Sequence, residues 1–196
     1  MKKLSLLLLL LSIFTFSQKK TEKRPIQGFY FAPEISAGFN LSNIIKSDRD
    51  KKTDPNYLYN NDYPNNFSYG ISAVAGYHFV PNVALGGGLK YMYTADNYHI
   101  LYGIVQPKIL FNLDDDPYFI DLTYGFQLNK SAVSDADFWG IKAGVLLSYE
   151  KRLSQQAGFF FEGQQLGNNG VVFVGAFYGV TLFSNKNYNK YGKDED

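Results

Sequence analysis

Few residues in this chain are of a type that does chemistry, and they fall into three sets. The first is built on histidine. There are only two, His78 and His99, and no cysteine. His99 stands three residues after Asp96, with Ser131 and Ser134 further on. Nucleophilic catalysis needs a base within hydrogen-bond reach of the nucleophile and a third group to orient the base. Asp96, His99 and either serine supply those types, but no motif fixes their reach, and a histidine in a surface loop accounts for His99 equally well. The second set is Asp48, Asp50 and Asp54. An EF-hand wants Gly at its sixth position and Glu at its twelfth. Thr53 and Tyr59 stand there instead, so calcium binding by that route is not expected. The third set is Glu34, Lys90, Lys108, Asp121, Lys142 and Glu162, three anions and three cations. What these can do depends on where the backbone aims them. No residue is assigned as catalytic, cofactor-binding or metal-ligating, and Gly86-Gly87-Gly88 lacks the following helix that a phosphate loop requires.

The elements that must position these residues begin after an export signal. Met1-Lys2-Lys3 carries two charges and precedes the apolar run Leu4 to Phe16, with small residues at Thr15 and Ser17. That run is too short for a membrane helix, which takes roughly 20 residues, and it matches a signal peptide over 1–17. Residues 18–27 then form a short periplasmic segment. The absence of cysteine leaves no site for a lipid anchor at the cleavage point and no disulfide scaffold. Net charge is +1, which gives no electrostatic pull toward nucleic acid. With 16 Tyr, 17 Phe and 18 Gly against one Trp and two Met, the composition favours strands and turns.

From Gly28 the chain alternates with period two. Phe67, Tyr69, Ile71, Ala73, Ala75, Tyr77 and Phe79 form one apolar face, and Ser68, Gly70, Ser72, Val74, Gly76 and His78 form the other. Aromatics at both ends with aliphatics between are the mark of a strand that meets two membrane interfaces. Seven more strands are predicted: Gly28 to Leu41, Val83 to Ala95, Ile100 to Phe111, Tyr118 to Leu128, Phe138 to Tyr149, Ala157 to Leu166 and Val171 to Phe183. The facing of the fourth is blurred, and that of the eighth is open because both its faces are apolar. The fold expected is an all-β, eight-stranded antiparallel up-and-down transmembrane barrel over 28–183. Phe67, Tyr69, Tyr77, Phe79, Tyr118, Trp139 and Tyr149 are its expected lipid-interface aromatics.

With the N-terminus in the periplasm, the turns at 80–82, 113–117 and 150–156 fall inside. The loops 42–66, 96–99, 129–137 and 167–170 fall outside. The longest connection is thus external, as in such barrels generally. A polar tail, 184–196, follows the last strand. The six ionisable residues of the third set all take inward positions, on six different strands. Eight strands enclose a bore just wide enough for side chains, and a buried charge must be paired. They are read as an interior network that plugs the lumen, the alternative being an ion path.

The stretch Ile35-Ser36-Ala37-Gly38-Phe39-Asn40-Leu41-Ser42-Asn43 resembles the opening motif of the Bacteroidota outer-membrane β-barrel family that includes PorT-like proteins. Gly76 to Phe79, Gln106-Pro107-Lys108 and Tyr118 to Gly125 are similar to later blocks of that family. The resemblance implies an OmpA/OmpX-like eight-stranded barrel and no particular activity. The continuation past Phe183 departs from barrels that end on an aromatic strand residue.

Function is therefore expected to be structural or interactive rather than enzymatic. The expected partners are the outer-membrane lipid or lipopolysaccharide, and a protein that contacts loop 42–66 or the tail 184–196. In that loop Tyr57, Tyr59 and Tyr63 mix with asparagines, a combination suited to adaptable binding surfaces. The competing readings are a narrow channel, a lipid-modifying enzyme at the rim using His99, and a soluble lipocalin-like barrel with its apolar face inward.

Overall fold

A computed structural model of the chain describes residues 28–45, 66–80, 82–94, 99–111, 117–131, 135–147, 153–166 and 169–184. Eight strands make up most of them: β1 (Gly28–Asn40), β2 (Phe67–Val80), β3 (Val83–Tyr93), β4 (His99–Phe111), β5 (Tyr118–Gln127), β6 (Asp137–Leu147), β7 (Leu153–Leu166) and β8 (Asn169–Phe183). Each strand pairs antiparallel with the next, and β8 returns to β1, so the sheet closes into a barrel with no free edge. The end that carries the β1–β2, β3–β4, β5–β6 and β7–β8 connections is called the loop end below, and the opposite end the turn end. The expected signal peptide 1–17, the segment 18–27, most of loop 42–66, the tail beyond Ser184, Tyr149, Asp96, Ser134 and the aspartates at 48, 50 and 54 lie outside the described residues.

Side-chain alternation sorts the residues as a pleated sheet must. Phe29, Ile35, Ile71, Leu89, Leu122, Ile141 and Phe159 point outward and are exposed, Phe159 at 73%. Tyr102, Phe119, Phe138 and Phe173 point inward and are buried. A wall of exposed aliphatic and aromatic side chains around a whole barrel is far larger than the apolar patches a soluble monomer tolerates. Hydrocarbon is the medium that covers it without cost. The arrangement inverts that of a soluble lipocalin-like barrel, and the fold is a transmembrane β-barrel. Phe67, Tyr69 and Trp139 stand on the outward face near the loop end, and Tyr77, Phe79 and Tyr118 near the turn end.

Two prolines sit inside strands, and the ladder shows how they are tolerated. Pro33 is in register with Ala73 of β2, but the β1–β8 register skips from Phe31 to Glu34. Pro107 is in register with Leu85 of β3, while the β4–β5 register skips from Val105 to Lys108. A proline has no N–H to donate, so pairing lapses on one side only. The close approach of side chains across the bore also needs space. A Cβ on Gly76 would come within 2.4 Å of the Tyr30 ring, and one on Gly86 within 2.6 Å of its hydroxyl. These two glycines form the seat of Tyr30.

Several boundaries differ from those expected. β1 stops at Asn40 rather than Leu41, because residues 41–45 form one helical turn. Asn40 caps it, its Oδ1 accepting from the Asn43 amide at 3.1 Å. β3 ends at Tyr93 rather than Ala95, and β6 is described as far as Leu147. β7 starts at Leu153, so residues 153–156, expected in a turn, are strand. Ser154 and Gln156 face the polar interior there, and Gln155 faces out but accepts from the Tyr178 hydroxyl at 3.1 Å. The eighth strand has Val174, Tyr178 and Leu182 outward, and Val171, Phe173, Phe177, Thr181 and Phe183 inward.

Candidate functional site

The interior of the barrel holds the densest chemistry among the described residues. Period-two alternation sends Glu34 (β1), Lys90 (β3), Lys108 (β4), Asp121 (β5), Lys142 (β6) and Glu162 (β7) into the bore, where each is at most 7% exposed. They make three ion pairs. Lys90 bonds Glu162, and Lys142 bonds Glu34. Lys108 lies 3.5 Å from Asp121 on the neighbouring strand. β3 and β7 stand four places apart in the closed ring, so Lys90–Glu162 spans the bore from wall to opposite wall. Lys142–Glu34 spans it between β6 and β1.

Neutral amides join two of the pairs, Lys108–Asp121 and Lys142–Glu34, and extend the third. Gln106 Nε2 donates to Asp121 Oδ2 at 3.0 Å and to Thr123 Oγ1 at 3.3 Å. Lys108 donates to Gln156 Oε1 at 3.4 Å, and Gln156 Nε2 donates to Glu34 Oε2 at 3.5 Å. Gln164 Nε2 donates to Glu162 Oε2 at 3.5 Å, and Gln164 Oε1 accepts from the Tyr102 hydroxyl at 3.5 Å. Ring faces complete the solvation of the ammonium groups. Lys90 Nζ lies 4.8 Å from the Phe138 centroid, Lys108 Nζ 4.2 Å from Phe119, and Lys142 Nζ 5.3 Å from Phe177. Such contacts strengthen when water is excluded.

Hydrophobic layers bound the charged one. Toward the loop end Met92, Ile100, Tyr102, Phe138 and Phe173 are buried, with Tyr102 edge-on to Phe138 at 4.8 Å. Toward the turn end stand Leu110, Phe119, Leu146 and Phe183, with His78 beside Tyr30 at 5.2 Å and beside Phe183 at 6.0 Å. Gln106, Gln156 and Gln164 are the bridging amides, and sequence reasoning did not assign them to the interior. Gln106 and Gln164 share inward parity with Lys108 and Glu162 two residues away, which was a usable signal. Gln156 was hidden inside a supposed turn.

The rim places the histidine chemistry differently from expectation. His99 is not in a loop: it opens β4 and faces outward. The Tyr91 hydroxyl lies 2.5 Å from its Nδ1, and the Tyr93 ring stands 5.1 Å away. Asn129 fixes its backbone, donating to the His99 carbonyl at 2.8 Å and accepting from the Leu101 amide at 2.8 Å. Ser131 is engaged elsewhere, accepting from Gln127 Nε2 at 3.2 Å. The same Gln127 accepts from the Ala136 amide and donates to the Asn129 carbonyl, which ties off the base of the β5–β6 loop. The start of loop 42–66 is pinned too: Ser42 Oγ accepts from the Val172 amide at 3.0 Å, and Asn40 N donates to the Asn66 carbonyl at 2.7 Å. Among the described residues, no three His, Asp or Glu are grouped to hold a metal ion.

No family model matches the chain, and no curated protein does. Solved structures do. Neisserial surface protein A matches with a TM-score of 0.50 and 11% identity, over 82% of this chain and 99% of that one. The N-terminal β-barrel domain of Pseudomonas aeruginosa OprF matches at 0.46 and 13%, over 80% and 98%. A de novo designed transmembrane β-barrel matches at 0.44 and 14%, over 83% and 98%. At such identities the likeness is one of fold.

Proposed function

We propose that this chain is an outer-membrane protein with a plugged lumen, acting as a structural or interaction component through its loop end. Loop 42–66 is the main contact surface in this reading and the tail 184–196 a second one. A subunit of an envelope or secretion complex is its most specific form, in keeping with the resemblance to PorT-like Bacteroidota barrels. The observation that carries the reading is the interior layer of three ion pairs between two hydrophobic layers. Water reaches almost nothing of Lys90, Lys142 or Glu162, which are 1–2% exposed. An ion would have to part a cross-bore pair to pass. With the lumen filled and the wall apolar, the loops and termini remain as the polar surfaces for a partner.

The reading treats the chain as non-enzymatic. His99 is occupied by Tyr91 and faces the wall, while Ser131 is bonded to Gln127, so neither is arranged as a base and its nucleophile. Fractionation with gel mobility of boiled and unboiled samples tests the location: an outer-membrane band that runs faster unboiled is expected. Planar-bilayer recording tests the plug. Wild type, Glu34→Gln and Lys142→Met are expected to be silent. Conductance that rises on neutralising either residue would establish the channel reading instead.

A further inference from the structure

The outward wall is smooth except for grooves, and one of them leads to the His99 cluster. Its path follows the register. One cross-strand row runs Ala176, Ala37, Tyr69, Tyr93, His99, from β8 through β1, β2 and β3 to β4. The next row toward the turn end runs Tyr178, Ile35, Ile71, Tyr91, Leu101 over the same strands. Strands in such barrels are tilted by roughly 35–45°, so a row perpendicular to them climbs the wall. Ala176 is mid-strand in β8, whereas Tyr93 and His99 are terminal residues of β3 and β4 at the loop end. The rows therefore rise from mid-membrane to the rim. The two alanines leave a depression beside Ile35, Ile71 and Tyr178, and the groove so formed has a volume of about 480 Å³ and an almost wholly apolar lining. That lies within the range of ligand clefts, roughly 300–1,000 Å³.

Its upper end is polar and held in place. Tyr91 and Tyr93 line the groove, and both contact His99. The Tyr91 hydroxyl takes up Nδ1, which leaves Nε2 as the ring nitrogen that meets a ligand. Asn129 pins the backbone of His99 from the neighbouring hairpin. An apolar channel that climbs to an imidazole anchored between two tyrosines at the interface has the polarity profile of one lipid molecule, chain below and headgroup above. We infer that this groove binds a phosphate-bearing lipid of the leaflet at the loop end, with an acyl chain along Ala37 and Ala176 and the phosphate on His99. The groove is continuous with the lipid-covered wall, which favours lipid over a second copy of the chain. The inference rests on the transmembrane placement proposed above.

Native mass spectrometry of the full chain, refolded in detergent and supplied with either dipalmitoylphosphatidylglycerol or dipalmitoylglycerol, tests it. The phosphate-bearing lipid is expected to stay bound about fivefold more than the diacylglycerol, the scale of one or two hydrogen bonds. His99→Phe keeps the ring and removes the donor, and it is expected to erase that preference. Ala37→Trp fills the depression and is expected to lower retention of both lipids. Gel mobility of unboiled samples checks that each variant is closed. Equal retention of the two lipids by wild type, or retention indifferent to both substitutions in closed barrels, would overturn the site. A dimer mass lost in Ala37→Trp would assign the groove to a second copy. Failure to enter membranes at all would instead remove the underlying placement.

Discussion

The two faces of this barrel are built from the same strands and obey opposite rules. Outward positions need only be apolar. Phe, Tyr, Leu, Ile, Val and Ala follow one another there with little regard to neighbours, because lipid accommodates any shape. Inward positions are pairwise. Tyr30 needs Gly76 and Gly86, Lys90 needs Glu162 across the bore, and Gln156 links Lys108 to Glu34. The outer face is thus specified by a medium and the inner one by partners. A substitution outside should cost according to its transfer energy. A substitution inside should cost according to what it leaves unpaired.

That contrast can be broken most forcefully inside. Glu162→Ala leaves Lys90 uncompensated in the bore and is expected to destabilise by about 3–5 kcal/mol, read from the urea midpoint of the barrel in lipid vesicles. Outside, Leu122→Lys places a charge at mid-strand on the lipid face and is expected to cost ~2–4 kcal/mol in the same assay. If the two costs exchanged ranks by a wide margin, partner-specification of the interior would be the weaker rule. Trp139→Ala is a gentler probe. Its indole covers Gly163 on β7, where an added Cβ would meet the ring at 2.9 Å. Losing this cross-strand cover is expected to cost about 1 kcal/mol, and Trp139→Phe should recover most of it. The smallest effect sharpens the comparison most. Replacing both members of one pair, Glu34→Met with Lys142→Met, is expected to be near neutral, since a buried pair only roughly offsets its own desolvation. A loss as large as that of Glu34→Ala alone would mean the pair adds stability beyond compensation.

The same contrast explains what could be read from the sequence. Strands such as Phe67–Val80 and Tyr118–Gln127 were legible because a medium-specified face leaves a period-two trace in every residue. The inward direction of Glu34, Lys90, Lys108, Asp121, Lys142 and Glu162 followed from parity alone. Who pairs with whom did not. Lys90 and Glu162 are 72 residues apart, and their meeting depends on the stagger of the whole closed sheet. β8 was illegible in its facing because Phe173, Phe177 and Phe183 fill the bore with the same residue type that others present to lipid. The opening of β7 was missed because Ser154, Gln155 and Gln156 carry no apolar trace. His99 looked like a loop residue because its tyrosine partners lie on the preceding strand, whose terminus the pattern overran.

The seam between β1 and β8 has a temporal meaning. Phe29 N donates to Ser184 Oγ at 3.0 Å and Ser184 N to the Phe29 carbonyl at 2.8 Å, across a separation of 155 residues. No growing chain can complete this ring until its final strand has been made. Until then β1 and β7 each present an unpaired edge, the kind of surface that invites other strands. Closure is a contact of high order, and such contacts form late and slowly. An unclosed chain therefore carries that edge until the last strand arrives, and anything that holds it in that state has to shield the first strand.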